Sequence, residues 1–249
     1  MKIAVAQFRP ESGNISSNLA RHEQLINLAA SRQVELIVFP ELSLTGYEPT
    51  LANDLATTAD DRRFLNLQTL AQTHRMTICV GVPTVSESGI RISMLIFQPD
   101  QPVQVYSKRY LHSDEDPFFV PGVAQVLLAG QIAPAICYEL SVPQHAEAAQ
   151  ASGAAIYLTS VAKTHSGVIN AAKRLAAIAQ QYGMTVFMAN CIGPCDNSIA
   201  GGQSAVWNAA GELLASLSDT EEGLVAYDSA KPEMAAEVTR CIAGALEAE

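Results

Sequence analysis

Short apolar runs and longer stretches of mixed polarity alternate along this chain from its first residues to about Tyr227. Residues 3–8 form an apolar run that reads as a buried strand, ended by Pro10 and Gly13. Asn14 or Ser16 then offers a helix cap, and Ile15, Leu19, Leu25, Ile26 and Ala29 recur at helical spacing. The run 34–39 predicts a second strand, stopped by Pro40 with Glu41 at its end, and 42–53 reads as a loop. A helix is expected over 60–75. Strands are expected over 76–82 and 91–98, paired as a hairpin across Glu87-Ser88-Gly89, and then over 103–107, up to Lys108. An irregular polar segment, 109–122, follows. The pattern next predicts a hairpin of 123–128 with 131–136 around Gly130, a helix over 142–151, a strand over 154–159 and a long helix over 167–182 stopped by Gly183. The remaining expectations are a strand over 184–191, a hairpin of 204–208 with 212–217, a strand over 223–227 and an Ala- and Glu-rich helix over 232–246.

Strand–helix–strand units, which favour parallel neighbours, thus alternate with hairpins, and both halves of the chain carry the same mix. The simplest packing is two mixed sheets face to face, each covered outside by helices. No low-complexity linker or short repeat divides the sequence, so residues 1–249 read as a single domain. A composition 49% hydrophobic and 16% charged supports a sizeable core. A net charge of -10 argues against nucleic acid as a partner. The opening apolar run is too short for a secretory signal, and no stretch has the length of a membrane span. Five cysteines without paired spacing do not form a disulfide framework, which points to a reducing, cytoplasmic setting.

Candidate chemistry gathers at strand ends. The apolar run before Cys137 stops at that residue, and Ser141, Val142 and Pro143 open a helix just beyond. A cysteine at a strand-to-helix turn faces backbone N–H groups, which lower a thiol's pKa and hold an oxyanion. Taken alone, Cys137 reads more readily as a small buried hydrophobe than as a nucleophile, and Glu41 or Lys108 alone more readily as solvated. Together they supply an acyl-transfer set. Cys137 attacks a carbonyl carbon, Glu41 takes the thiol proton and later activates water, and Lys108 and the Tyr138 N–H steady the oxyanion.

These residues carry a resemblance to the nitrilase superfamily of carbon–nitrogen hydrolases. The matching segments are Phe39-Pro40-Glu41-Leu42-Ser43-Leu44-Thr45-Gly46-Tyr47, Tyr106-Ser107-Lys108-Arg109-Tyr110-Leu111, Glu115-Asp116-Pro117-Phe118-Phe119-Val120-Pro121-Gly122 and Ile136-Cys137-Tyr138-Glu139-Leu140, in the family's order. The resemblance implies an α/β fold that is a four-layer αββα sandwich. It implies Glu41 as base, Lys108 as oxyanion stabiliser and Cys137 as nucleophile. It gives Glu115 the role of orienting Lys108 and binding substrate, and it implies no metal and no organic cofactor. It also implies a homodimer or higher homo-oligomer, paired through the helices near the nucleophile. The chain departs from the family pattern in two places. Many amidase-like members have Asp and then Arg-Phe-Pro after the cysteine and its aromatic neighbour, where this chain has Glu139-Leu140-Ser141-Val142-Pro143. The lysine segment usually reaches a histidine two residues on, where Tyr110 stands here; His112 lies two residues further. Tyr138, in place of the tryptophan usual in true nitrilases, favours amides over nitriles.

Tyr47 and Tyr138 are expected to line the substrate pocket; Phe118 and Phe119 read evenly as pocket or core. Ser160, Ala162 and Lys163 follow a strand end and are placed to face substrate, although a loop lysine is more often solvated. Cys191 and Cys195 have too few neighbouring ligands for a zinc site, and Gly201-Gly202 reads as a turn rather than a phosphate loop. The function expected is cleavage of a small linear amide, such as an ω-amide of a dicarboxylate, or of an N-carbamoyl compound, through a cysteine thioester. The alternative is a non-catalytic protein that holds a small ligand or partner in the same pocket.

Overall fold

The computed structural model describes residues 1–241. In chain order the elements are β1 (Lys2–Gln7), α1 (Ile15–Ser31), β2 (Leu36–Val38), α2 (Ala52–Leu55), α3 (Leu65–His74), β3 (Thr77–Ser86), β4 (Gly89–Phe97) and β5 (Gln104–Ser107). Then come β6 (Ile132–Ile136), a 3-10 turn over Cys137–Ser141, α4 (Pro143–Ala151), β7 (Ile156–Ser160), α5 (His165–Tyr182) and β8 (Thr185–Ala189). The chain continues through β9 (Ile192–Cys195), β10 (Ser198–Gly201), β11 (Ala205–Trp207), β12 (Leu213–Ser216), β13 (Gly223–Asp228) and β14 (Glu237–Arg240).

One sheet has seven strands in the order β14-β13-β1-β2-β3-β4-β5, and the other has five in the order β12-β11-β8-β7-β6. β1, β2 and β3 run parallel to one another, as do β6, β7 and β8, while the flanking strands are antiparallel. Both β1, inside its sheet, and β6, at the edge of the other, are buried on both faces because each face meets another layer. Ile3, Val5 and Val38 of one sheet pack against Ile136, Leu158 and Phe187 of the other. The outer face of the larger sheet packs under α1 and α3 through Ile26, Ala29, Leu67 and Ala71. The outer face of the smaller sheet packs under α4 and α5 through Ala146, Val168, Leu175 and Ile178. The result is the αββα sandwich.

The helix ends follow from their capping residues. The Asn14 side chain accepts from the Ser17 N–H at the start of α1, Thr164 accepts from Gly167 at the start of α5, and Gly183, at φ +66°, closes α5. Two expectations change, and one hairpin was not expected. Residues 123–128 do not form a strand: among the described residues the outer edge of β6 is met only by the Leu128–Ile132 bridge, and Val123 is 81% exposed. The segment over 192–201 is a second small hairpin, β9 with β10, with Asp196 in the left-handed region between the strands. The helix expected from residue 232 is replaced by β14, which pairs antiparallel with β13 through Val225–Val238 and Leu224–Thr239. The open edge of β13 and the β-branched Val238 and Thr239 outweigh the local helical propensity there. The part of that expected helix over 242–246 lies outside the described residues.

Candidate active site

Glu41, Lys108, Cys137 and Lys163 all lie where strands end, at one edge of the interface between the sheets. Glu41 follows β2 in a tight turn whose next residue, Leu42, has φ +50°. The turn lies against Gly81 of β3 so closely that a Cβ there would sit 2.3 Å from the Leu42 nitrogen, so only glycine fits. The Ser43 hydroxyl accepts from the Gly81 N–H at 3.1 Å and donates to His22 Nε2 at 2.9 Å, while His22 Nδ1 donates to the Asn18 carbonyl at 2.6 Å. Burial holds this imidazole neutral, with its pKa lowered to about 4. The Glu41 N–H reaches across to the Val161 carbonyl at 3.3 Å, and the Ser160 hydroxyl donates to the Phe39 carbonyl at 2.8 Å. Both bonds join the end of β2 in one sheet to the end of β7 in the other.

Lys108 extends β5 by one residue and is fully buried. Its N–H donates to the Ile92 carbonyl at 2.8 Å and its carbonyl accepts from Gly122 at 2.7 Å. Its ammonium donates to Glu41 Oε1 at 2.7 Å and to Glu115 Oε1 at 2.6 Å. Glu115 comes from the irregular segment 109–122, and it also accepts from the Tyr47 hydroxyl at 2.9 Å and the His112 N–H at 2.8 Å. Burial opposes the lysine's charge, but the negative charges of Glu41 and Glu115 outweigh it and hold Lys108 above the ordinary lysine range. Burial also lifts Glu41 above the usual carboxylate range, although Lys108 pulls it down. Among the described residues Glu41 Oε2 has no conventional hydrogen-bond partner, and the Cys137 thiol lies beside this carboxylate.

Cys137 sits where β6 turns into the 3-10 segment, at φ +44°. Non-glycine residues rarely adopt this conformation, which costs on the order of 1–3 kcal/mol and persists only where surrounding structure fixes it. Glu139 is what fixes it. This fully buried carboxylate accepts from the Ile136 N–H at 2.7 Å, beside Cys137, and from the Arg109 N–H at 2.6 Å, beside Lys108. It also accepts from the Tyr106 hydroxyl at 2.7 Å. Behind Tyr106 the chain continues through His145 Nε2 at 2.9 Å to the Tyr157 hydroxyl, 2.7 Å from His145 Nδ1. Burial raises Glu139 to about 7 against these donors. The expected lowering of the thiol pKa does not occur: burial first, and then the charge of Glu41, push Cys137 up to about 11, while Lys163 and Lys108 pull the other way. The 3-10 turn separates Cys137 from α4, so no long helix begins at the sulfur.

Cys137 opens on a cavity of about 290 Å³ bordered by Tyr47, His112, Glu115, Tyr138, Lys163 and Thr164 among others. The structure therefore brings together Glu41, Lys108, Cys137, Glu115, Tyr47 and Tyr138. The His112 ring meets Tyr138 edge-on with centroids 5.2 Å apart. Ala162 and Lys163 border the cavity, whereas Ser160 is buried in the seam between the sheets. Phe119 is in the core and Phe118 is exposed on the surface, so neither forms part of the cavity wall. Cys191 and Cys195 pack with Ala200 in a small cluster against Tyr47 and Ala162. The role of Glu139 was missed; its only signal was a carboxylate set within an otherwise apolar stretch. Among the described residues no helix is long and apolar enough to cross a membrane.

A sandwich of this kind, with a cysteine elbow facing a lysine bridged by two glutamates, is the architecture of the nitrilase superfamily. The chain belongs to the carbon–nitrogen hydrolase family, whose model matches residues 2–238. It is 35% identical over 126 residues to a glutamine-dependent NAD(+) synthetase of Acinetobacter baylyi, covering 49% of this chain and 23% of that protein. It is 26% identical to the glutamine-dependent NAD(+) synthetase of Thermotoga maritima, covering 92% of this chain and 42% of that protein. The chain thus spans less than half the length of these relatives. Among solved structures, an amidase from Nesterenkonia sp. AN1 superimposes with a TM-score of 0.82 at 25% identity, covering 92% of each chain; one of its mutants shows acrylamide added at the active-site cysteine.

Proposed function

We propose that this protein is a thiol amidohydrolase that cleaves the C–N bond of a small linear amide through a cysteine thioester, with residues 1–249 acting as one catalytic domain. The observation that carries the reading is the buried Lys108 bridging Glu41 and Glu115, with the Cys137 thiol beside the Glu41 carboxylate. Sγ attacks the carbonyl carbon as its proton passes to Glu41, and the carbonyl electron pair moves onto oxygen. Lys108, already oriented and charged, steadies that oxyanion without reorganising, and the Tyr138 N–H assists. The oxyanion collapses, the C–N bond breaks, and Glu41 returns the proton to the departing ammonia or amine. Water then gives a proton to Glu41 and attacks the thioester. Collapse of this second intermediate breaks the C–S bond and releases the carboxylic acid, with the Glu41 proton returning to sulfur. Since the thiol pKa is raised to about 11, activation falls to the base rather than to a resting thiolate.

The small cavity suits a short acyl group, and the active-site cysteine of the Nesterenkonia amidase supports the role given to Cys137. An N-carbamoyl compound fits the same chemistry. The free thiols agree with a reducing, cytoplasmic setting. The reading includes a homodimer or higher homo-oligomer in which copies pair through α4 and α5, the helices near the Cys137 turn. Cys137→Ala should abolish ammonia release from a panel of small amides and leave the circular dichroism spectrum unchanged. Intact-mass spectrometry of the native protein should reveal an acyl adduct on Cys137. Turnover that survived the substitution would overturn the mechanism, and a folded native protein that bound amides without hydrolysing any would point to a pure binding role.

A further inference from the structure

We propose that His145 is a positioning residue and that the buried chain Glu139–Tyr106–His145–Tyr157 is a proton-responsive brace. With Glu139 ionised, the chain holds the Cys137 turn and the backbone beside Lys108 together; uptake of one proton loosens both and slows the reaction. This rests on the amidase reading above and adds to it the regulation of that site by proton uptake.

The direction of every hydrogen bond in the chain follows from its carboxylate end. Ionised Glu139 has no proton to give, so the Tyr106 hydroxyl must donate to its Oε2 at 2.7 Å. With its proton spent, the Tyr106 oxygen can only accept at its second contact, 2.9 Å from His145 Nε2, which places the proton of a neutral imidazole on that nitrogen. His145 Nδ1 is then an acceptor, and the Tyr157 hydroxyl donates to it at 2.7 Å. His145 Nε2 also lies 3.5 Å from Glu139 Oε2, so the carboxylate faces the N–H edge of the ring. All four side chains are buried, and their protons point one way, from β7 through α4 and β5 to Glu139. Bonds aligned in this sense polarise one another and favour the negative charge at their end.

One proton taken up from solvent reverses the chain. Bound to Glu139 Oε2, it is donated to the Tyr106 oxygen. The Tyr106 hydrogen turns to His145 Nε2, and the imidazole proton passes to Nδ1, facing the Tyr157 oxygen. The imidazole accommodates either direction, so the effect falls on the other partners of Glu139. The Ile136 and Arg109 N–H groups now meet a neutral acid, and bonds to a charged acceptor are roughly twice as strong as neutral ones. Ile136 precedes Cys137, whose φ of +44° persists only where its surroundings fix it, and Arg109 follows Lys108. A single protonation therefore relaxes the settings of Cys137 and Lys108 together.

The groups packed around the chain decide which member takes the proton. Beyond β5, the charge of Lys108 acts on Glu139 and that of Arg109 on His145, and the Tyr110 ring meets the imidazole edge-on at 6.1 Å. From α5, Arg174 and Tyr182 act on Tyr157. Burial first, and then Arg109, lower His145 to about 4, whereas burial raises Glu139 to about 7 and keeps both tyrosines protonated. Near neutrality the added proton thus settles on Glu139, and His145 stays neutral. A carboxyl group raised above its free value of 4.5 binds its proton more readily folded than unfolded. Its contribution to stability therefore grows as pH falls from about 7 toward 4.5, while the reaction slows, which separates this event from acid unfolding.

The test follows the backbone amide resonances of Ile136 and Arg109 by NMR from about pH 8.5 to about pH 5.5, alongside kcat and KM for a small amide. Both amides should titrate with one midpoint near pH 7. On its acid side kcat should fall roughly tenfold with KM little changed and the circular dichroism spectrum constant. Glu139→Gln should abolish the shared titration. Tyr106→Phe removes a donor to the carboxylate and should raise the NMR and kcat midpoints by about one pH unit. His145→Leu leaves Tyr106 without its own donor and should move them the same way. His145→Gln, which donates to Tyr106 and accepts from Tyr157 as the neutral ring does, should hold them near the native values; if the leucine variant does not fold, the glutamine and Tyr106→Phe variants decide. Amides that titrate separately, or a midpoint unmoved by Tyr106→Phe, would overturn the brace. A midpoint that moves in the NMR but not in kcat would overturn the positioning role while the amidase reading stands. If no amide is hydrolysed, yet both resonances titrate together and shift with Tyr106→Phe, the amidase reading fails and the proton-responsive turn at Cys137 survives.

Discussion

Replacing Glu139 with glutamine tests whether one carboxylate positions both the nucleophile and the lysine. The substitution preserves shape and removes one acceptor oxygen. In the native protein Oε1 accepts from the Arg109 N–H, and Oε2 accepts from the Ile136 N–H and the Tyr106 hydroxyl. Tyr106 can reverse its role, because the Tyr106–His145–Tyr157 chain can run its protons the other way. The two backbone N–H groups cannot. Whichever way the amide turns, its NH2 group faces one of them. A buried donor left without an acceptor costs about 1–3 kcal/mol, and hydrogen bonds to a charged acceptor are roughly twice as strong as neutral ones, so the total loss should be about 2–4 kcal/mol. The orphaned N–H lies next to either Cys137 or Lys108, so the displacement falls on a reacting group. A shift on the order of 1 Å can cost about 100-fold in rate. Glu139→Gln should therefore lower kcat by roughly 10- to 100-fold with KM changed only a few-fold, and slow alkylation of Cys137. Thermal melting and steady-state kinetics on the same preparation measure both effects. A variant that melts like the native protein and keeps its kcat would refute the positioning role. One that loses stability but not kcat would reduce Glu139 to a purely structural group.

Two further outcomes follow from the same geometry. Iodoacetamide should label Cys137 ahead of the buried Cys79, Cys191 and Cys195, and Glu41→Gln should slow that labelling several-fold, because a thiol raised to about 11 holds only a trace of thiolate at neutral pH and relies on its base; equal rates by peptide mass spectrometry would argue against Glu41 as proton acceptor. His22, neutral when folded with a pKa of about 4 against 6.5 when free, leaves the unfolded chain with the extra proton between those values, so stability should fall as pH drops from 6.5 toward 4, by up to about 3 kcal/mol from this residue. His22→Gln should be less stable at pH 7 but show a shallower acid slope in melting temperature, and an unchanged slope would mean that other groups carry it.

Much of the fold could be read because its strands are short apolar runs and its helices carry clear caps. The sequence reading placed β1, α1, β3 with β4, and α5 within a few residues. Where it failed, the cause was a partner distant in sequence. The helix expected from residue 232 gave way to β14 because the edge of β13, and not local propensity, decided the matter. The apolar alternation of 123–128 found no neighbouring strand beyond Leu128. Glu41, Lys108, Glu115 and Cys137 were legible because each stands at a strand end or within an ordered motif. Glu139 was not, since nothing local distinguishes a carboxylate that binds three donors from one that faces solvent. The thiol pKa was misjudged for a related reason: desolvation depends on the whole surroundings of the sulfur, whereas a strand-to-helix turn can be read from a few residues.

The seam between the sheets has a practical consequence. The Glu41 amide and the Ser160 hydroxyl are tied to carbonyls on the opposite layer, so the base proposed here belongs mechanically to both halves of the molecule. Most backbone amides in such a fold report only on their own ladder. The amide of Glu41 instead exchanges with solvent when the layers part, which makes a single deuterium-uptake curve a gauge of how often the catalytic groups lose one another.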